Sequence, residues 1–168
     1  VNSWLYGLRH EVTSIRHALV LLGIDQITKW ASVWVLAGLN STGTQETVNV
    51  AILRARCCEL IGDQLAGAEE GQSFFLLGLC SLLDVVLGRP MKEALGEMPL
   101  PAIVNDALLG EQNQARRVLD AVLAYEQGQW TEAGEAMEQL RLPADLLPAV
   151  YADALRWARE LLKTTSGK

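Results

Sequence analysis

Histidine is almost absent from this sequence, which has only His10 and His17 among 168 residues. Two histidines cannot build a histidine-rich metal centre, and neither belongs to an HExxH motif or a His-Asp pair. The sequence also lacks GxSxG, GxGxxG and GxxxxGK[ST] motifs, which excludes the common serine hydrolases and nucleotide-binding loops. We therefore expect structural roles for both histidines, at the turn before a helix and in its first turn.

Cysteine is scarce as well, with Cys57, Cys58 and Cys80 alone. An odd number without CxxC spacing predicts neither a disulfide framework nor a zinc site. A chain that keeps its thiols reduced is typical of the cytoplasm, which is the expected location. The helical context predicts that the three cysteines are small core residues.

Basic clusters and long apolar runs are also missing. The chain has 14 Lys and Arg against 20 Asp and Glu, a net charge of −6, and its basic residues are scattered. A nucleic-acid partner is not expected, because such surfaces concentrate positive charge. The most apolar runs, 30–39 and 74–83, are ten residues each, whereas a membrane-spanning helix needs about 20.

The hydrophobic pattern predicts an all-α fold. Apolar residues recur with helical periodicity, and alternating runs typical of strands are absent. The apolar segment 73–87 should be a central helix ended by Gly88 and Pro90. Pro99 and Pro101 divide a core (1–97) from a C-terminal helical extension (98–168) packed on it. Helices are expected at about 14–22, 25–39, 46–66, 73–87, 91–97, 101–109, 114–126, 131–140 and 144–162, with polar loops at 40–45 and 68–72.

The segment YEQGQWTEAGEAMEQL resembles one helix–turn–helix junction of a tetratricopeptide array, so a tetratricopeptide-like scaffold is one alternative. More simply, Gly128 is a helix C-terminal cap and Trp130 a packing anchor. Acidic residues recur at helical spacing after this junction, which predicts a solvated face rather than a carboxylate metal site. They are Glu132, Glu135 and Glu138.

The opening pattern NSxxYG, followed by TSIRHALVLLG, resembles the middle of an HDOD domain. The matching residues are Asn2, Ser3, Tyr6, Gly7, Ser14, Ile15, Ala18, Leu22 and Gly23. The segments LRARCCELIG and FFLLGLCSLLDVVLGRPM look like the subfamily in which an EAL domain precedes the HDOD domain in bacterial signalling proteins. The resemblance implies an HD-domain-like helical bundle, truncated at its N-terminus. It also implies a regulatory, cyclic di-GMP-related function through protein contacts, with the protein's own EAL domain or a second copy as partner.

HDOD domains are related to HD-type metal phosphohydrolases, which carry a GLLHDIG-like stretch whose His-Asp pair binds metal. In this sequence the resemblance places that pair on Ser81 and Leu82, and places an upstream histidine ligand near Arg54. A hydroxyl and an isobutyl group cannot replace an imidazole and a carboxylate at a divalent metal. We therefore expect no catalysis, metal or cofactor; a metal-dependent phosphohydrolase remains the enzymatic alternative.

Two charged residues interrupt apolar helices. At 100° per residue Arg54 lies on the side of Cys58, Ile61 and Leu65, away from a side expected to face solvent, formed by Arg56, Glu59 and Asp63. Because an unpartnered buried charge costs several kcal/mol, we hypothesise that Arg54 meets Asp84. The alternative is that Asp84 reaches solvent or Arg89. A small-molecule pocket lined by Trp30, Trp34 or Arg54 is a further alternative.

Overall fold

The computed structural model describes residues 45–66, 68–96 and 100–165. The two helices expected before residue 40, the loop at 40–44, both histidines, Trp30 and Trp34 lie outside these ranges. The described residues form helices and no strand, which confirms the all-α fold. They are α1 (Gln45–Ala66), α2 (Ala68–Cys80), α3 (Leu83–Leu87), α4 (Met91–Leu95), α5 (Ala102–Leu108), α6 (Gln114–Glu126), α7 (Trp130–Gln139) and α8 (Leu146–Thr165).

Helices α1 and α2 pack closely along their lengths and form the centre of the described structure. Their approach is limited by glycine: a Cβ atom at Gly78 would lie 2.5 Å from Ala55 Cα and from the Arg54 carbonyl oxygen. Phe75 and Leu77 of α2, like Ile52 and Ile61 of α1, are fully buried. The expectation that the apolar segment after residue 73 is central is confirmed.

The single helix expected over 73–87 is wrong, because the chain turns at Ser81 and Leu82 between α2 and α3. The Ser81 hydroxyl donates to the Gly78 carbonyl at 2.7 Å, and the Ser81 N–H lies 3.3 Å from the same oxygen. This local pairing tightens the last turn of α2 and competes with continuation of the helix. Helix α3 ends as expected at Gly88, which has a φ of 63°.

The polar loop expected at 68–72 is also wrong, since α2 already begins at Ala68. Gly71 is buried, and a Cβ there would collide with the Asp63 carboxylate of α1. Packing of this segment back onto α1 therefore outweighs its polar composition, because tertiary contacts commonly override local propensity.

The boundaries of the C-terminal helices follow the sequence closely. Asn113 caps α6 by accepting a hydrogen bond from the Arg116 N–H at 2.8 Å. Gly128 has a φ of 72° and ends α6 as expected, with its N–H donating to the Tyr125 carbonyl. Trp130, expected to be a packing anchor, packs edge-on against Tyr125 while remaining 65% exposed at the surface.

Helix α8 covers the side of α1 that the sequence assigned to solvent. Glu59 is only 3% exposed, which corrects that assignment. Arg56 lies between the two helices: it donates to Glu59 at 2.7 Å, sits 3.6 Å from Asp153, and lies 5.7 Å from the ring centroid of Trp157. The pattern of one helix shows which residues are polar but not which other helix will cover them. No described helix is long and apolar enough to cross a membrane.

The close approach of α1 and α2 predicts the effect of adding one methyl group. Gly78→Ala should lower the free energy of unfolding by about 3 kcal/mol, because the new Cβ meets the α1 backbone, which cannot move aside like a flexible side chain. Chemical denaturation monitored by circular dichroism measures this change.

Gly134→Ala in α7 is the matched control, since no atom lies within 4 Å of its added Cβ. It should raise the free energy of unfolding by up to about 1 kcal/mol through helix propensity. Equal effects of the two substitutions would contradict the packing described here.

Candidate functional site around Arg54

Arg54 points into the protein from the middle of α1 and is 7% exposed, as the sequence predicted. Its Nε donates to both carboxylate oxygens of Glu126, at 3.3 Å and 3.2 Å, and its Nη2 donates to Oε2 at 2.7 Å. Its Nη1 donates to the Ser81 hydroxyl at 2.8 Å. The guanidinium therefore joins α1, the turn after α2, and the C-terminal end of α6.

The carboxylate that meets Arg54 is Glu126 rather than the expected Asp84. Asp84 is half-buried and instead accepts a solvent-exposed hydrogen bond from the neighbouring Val85 N–H at 2.9 Å. The true partner stands 72 residues away from Arg54 in the sequence. One signal pointed to it: Glu126 comes four residues after Val122 and so continues the buried stripe of α6.

Ser81 and Leu82 occupy the positions that the HDOD resemblance assigned to a His-Asp pair. The Ser81 hydroxyl accepts a hydrogen bond from Arg54 and donates one to the Gly78 carbonyl, so it orients the guanidinium. Leu82 is half-buried and packs against the hydrophobic core. Of the four candidate residues, the structure brings Arg54 and Ser81 together; it places Leu82 in packing and leaves Asp84 outside the network.

The side chains of Arg54 and Glu126 are 8% and 14% exposed, so both charges are largely removed from water. Their side-on pairing uses two guanidinium nitrogens on one carboxylate, a strong hydrogen-bonded geometry. Burial, and next the nearby Glu126 carboxylate, raise the pKa of Tyr151 in α8. The charge pair thus influences a residue of the last helix as well.

The charges of Arg54 and Glu126 neutralise each other, so this site offers little charge with which to bind a cofactor. Glu126 is committed to Arg54, and a guanidinium beside it repels a divalent cation. Among the described residues there is no group of three or more His, Cys, Asp and Glu placed to hold a metal ion.

The three cysteines are buried and free of disulfides, which confirms their expected place in the core. Burial, with a smaller contribution from Glu126, raises the pKa of Cys57 to about 12. Burial raises the pKa of Cys80 to about 11 and that of Cys58 well above its ordinary value. The thiols are therefore protonated at neutral pH and are poor nucleophiles.

The rate at which the three thiols react with a reagent should reflect their burial. In the folded protein at pH 8, Ellman's reagent should react with all three cysteines at a rate limited by opening of the structure, and rapidly once denaturant is added. Stopped-flow absorbance measures both rates. Rapid labelling of a folded sample would contradict the buried, protonated state.

These raised pKa values also predict a loss of stability in alkali. The unfolded thiols ionise from about pH 9, the ordinary value, before the folded ones do. The unfolded state then binds fewer protons than the folded state, so the free energy of unfolding should fall above pH 9. When denaturation is repeated between pH 8 and pH 10.5, the free energy of unfolding of Cys80→Ser should fall less steeply with pH than that of the parent. An unchanged pH dependence would contradict the assignment of the effect to the thiols.

Removing either partner of the buried Arg54–Glu126 pair should lower the stability of the fold. Arg54→Met and Glu126→Met should each lower the free energy of unfolding by about 3 kcal/mol, because each leaves an uncompensated buried charge. The double variant Arg54→Met/Glu126→Met should return to within about 1 kcal/mol of the parent. Urea denaturation of the set gives the coupling energy.

The helical pair Arg116–Asp120 is more accessible to solvent and is the matched control, with N–O separation 2.9 Å and side chains 28% and 37% exposed. Arg116→Ala should cost about 0.5 kcal/mol at most through that pair. If the loss of unfolding free energy in the Arg54–Glu126 double variant equals the sum of the losses in the two single variants, the two residues are not coupled.

Comparison with known proteins bears on this site. The family model of the HDOD domain matches residues 1–124. The chain is 30% identical over 165 residues to the uncharacterized protein YuxH of Bacillus subtilis, covering 96% of this chain and 40% of YuxH. It is 24% identical over 161 residues to the cyclic di-GMP phosphodiesterase CdgJ of Vibrio cholerae, covering 96% of this chain and 37% of CdgJ.

The chain thus spans about two fifths of the length of these curated relatives. No solved structure matches it. The family match ends inside α6, just before Glu126; the division of the chain at residue 97 remains a prediction. Since the match covers the residues up to 124, including Arg54 and Ser81, the chain belongs to the HDOD domain family.

Proposed function

We propose that this chain is a non-catalytic regulatory module of a cyclic di-GMP-related signalling protein, and that it acts through protein contacts. The observation that carries the proposal is the ion pair between Arg54 and Glu126, together with the hydrogen bond that Arg54 donates to Ser81. By resemblance, Arg54 and Ser81 lie where related phosphohydrolases hold their metal. A paired guanidinium there supports a structural role in place of hydrolysis.

The same pair offers a route for regulation. Arg54 links α1, the α2–α3 turn and α6 by hydrogen bonds, and α8 packs directly on α1. A displacement of α6 at a protein interface would remove Glu126 and leave a buried positive charge, which is energetically unfavourable. The charge pair therefore favours one arrangement of these helices, which a binding partner can select or oppose.

Similarity to CdgJ supports the signalling part of the proposal. That protein is described as a cyclic di-GMP phosphodiesterase, and this chain matches 37% of it. We propose that the matched segment regulates rather than performs hydrolysis, and that an EAL domain in the same polypeptide is its partner. A cytoplasmic location, where the free cysteines stay reduced, belongs to the same proposal.

Two of the alternative functions, the phosphohydrolase and the tetratricopeptide-like scaffold, have less support. A phosphohydrolase would need ligands that the described residues do not bring together. A tetratricopeptide-like scaffold would need repeated helix pairs, whereas the helices of the described part range from 5 to 22 residues. The α6–α7 junction keeps the helix–turn–helix geometry without a neighbouring repeat of matching length.

Hydrolysis assays test the first half of the proposal. With added Mn²⁺, Mg²⁺ or Fe²⁺, the purified chain should cleave neither cyclic di-GMP nor bis(p-nitrophenyl) phosphate above the buffer blank, as measured by chromatography and absorbance. Glu126→Gln is the matched variant. Metal-dependent turnover that this variant abolishes would make the chain an enzyme and overturn the proposal.

A chimera tests the regulatory half. The matched segment of CdgJ is replaced by this chain, and cyclic di-GMP hydrolysis is compared for the chimera, its Arg54→Met variant, and CdgJ without the segment. We expect the chimera to hydrolyse cyclic di-GMP at a rate that Arg54→Met changes several-fold, while Arg116→Ala leaves it unaltered. Identical rates for all forms would contradict regulation by this module.

A further inference from the structure

Helix α8 lies beyond the part of the chain that the HDOD model matches. The match ends at residue 124 inside α6, and α8 begins at Leu146. The connection over residues 141–145 is mostly exposed, and its first residue, Arg141, has a left-handed φ of 59°. Helices usually end in glycine at this position, so the arginine makes the turn with some backbone strain. Exposure and a sharp turn suit this connection to be a hinge.

The attachment of α8 depends strongly on one aromatic side chain. Among the described helices, α8 packs mainly on α1, and Trp157 of α8 is half-buried. Its ring centroid lies 5.7 Å from the guanidinium carbon of Arg56, and the ring meets Phe75 edge-on with centroids 6.1 Å apart. The centre of the buried stripe of α8 adds only alanine methyl groups, which contribute little apolar area. The stripe consists of Leu147, Val150, Ala154, Ala158 and Leu161.

The contact between α8 and α1 also contains a charge that is incompletely satisfied. Arg56 donates from Nη1 to Glu59 at 2.7 Å, whereas its Nη2 lies 3.6 Å from the Asp153 carboxylate of α8, which is too far for a good hydrogen bond. The Arg56 Nε is buried and has no hydrogen-bond acceptor in the described structure. A buried donor without an acceptor costs free energy that hydration recovers. Opening the α8 side of this guanidinium would therefore relieve a cost at the same place where Trp157 favours docking.

Another contact joins α8 to the end of α6. Tyr151 packs against Tyr125 with ring centroids 5.2 Å apart. Tyr125 directly precedes Glu126, whose carboxylate is paired with Arg54. The Tyr151 ring therefore supports the last turn of α6 in the position from which Glu126 reaches the guanidinium. Helix α8 thus connects its own docking on α1 to the geometry of the buried ion pair.

We propose that α8 is a releasable strap, which opens at residues 141–145 while α1 and α2 stay packed together. In the docked state Trp157 lies against Arg56, and Tyr151 supports the end of α6. In the released state Arg56 is hydrated, and the last turn of α6 loses a support, which weakens the hold of Glu126 on Arg54. Release is a conformational property of the chain that stands apart from the function proposed above, and it gives that function a moving element.

Hydrogen exchange of the whole chain tests the release. Exchange is followed by mass spectrometry of peptic peptides at urea concentrations below the unfolding midpoint. Peptides from α8 should exchange at least about tenfold faster than those from α2, and their rates should depend weakly on urea, because opening one helix exposes little surface. Rates for α2 should rise steeply with urea, as expected of global unfolding. Peptides over residues 122–129, at the end of α6, should follow the pattern of α8.

Variants distinguish release of α8 from unfolding of the whole chain. Gly78→Ala weakens the α1–α2 contact, which is intact in both the docked and the released states. It should speed exchange in α2 about a hundredfold and leave α8 unchanged. Leu77→Val, a milder change at a buried position of α2, should act in the same direction. Trp157→Phe should speed exchange in α8 several-fold, whereas Arg159→Ala, at an exposed position of the same helix, should not.

Two results would overturn the proposal. If Gly78→Ala or Leu77→Val speeds exchange in α8 as much as in α2, α8 opens only when the whole chain unfolds. If Trp157→Phe leaves exchange in α8 unchanged, the indole does not hold the helix. A response like that of α2 at residues 122–129 would remove the link to the Arg54–Glu126 pair. These measurements use neither the hydrolysis assays nor the chimera, so failure of the strap is distinguishable from failure of the proposed function.

Discussion

A single buried guanidinium constrains the described structure more than any other group. Arg54 lies in the middle of α1, the longest of the described helices, where its charge requires both an anion and a hydrogen-bond acceptor. Glu126 supplies the anion from the end of α6, and Ser81 supplies the acceptor from the turn after α2. The turn at Ser81 and the docking of α6 are thus two parts of one electrostatic arrangement.

Helix α1 is covered differently on each side. On one side the glycines allow α2 to approach until backbone meets backbone at Gly78. On another, α8 packs over Arg56, with Trp157 placed against Arg56 and edge-on to Phe75. Because α1 contacts α2, α6 and α8, a change in any of these interfaces alters the packing of the same helix. This common element is what makes a regulatory role physically reasonable.

Family membership and site chemistry answer different questions here. The HDOD match accounts for an all-helical fold, and a fold by itself does not assign an activity. The chemistry depends on which side chains meet, and here they are a guanidinium, a carboxylate and a hydroxyl that satisfy one another. Glu126 stands just beyond the matched residues, so the segment after the family match completes the site.

The sequence alone determined the fold class, the bounds of α1 and α6, the helix ends at Gly88 and Gly128, and the inward direction of Arg54. These follow from local rules, since periodicity and left-handed glycine caps depend on near neighbours in the chain. Only the tertiary structure decided that Glu126 rather than Asp84 neutralises Arg54, and that Glu59 is buried. Such pairings join residues far apart in sequence, and a helical pattern specifies which face is apolar without specifying which helix will cover it.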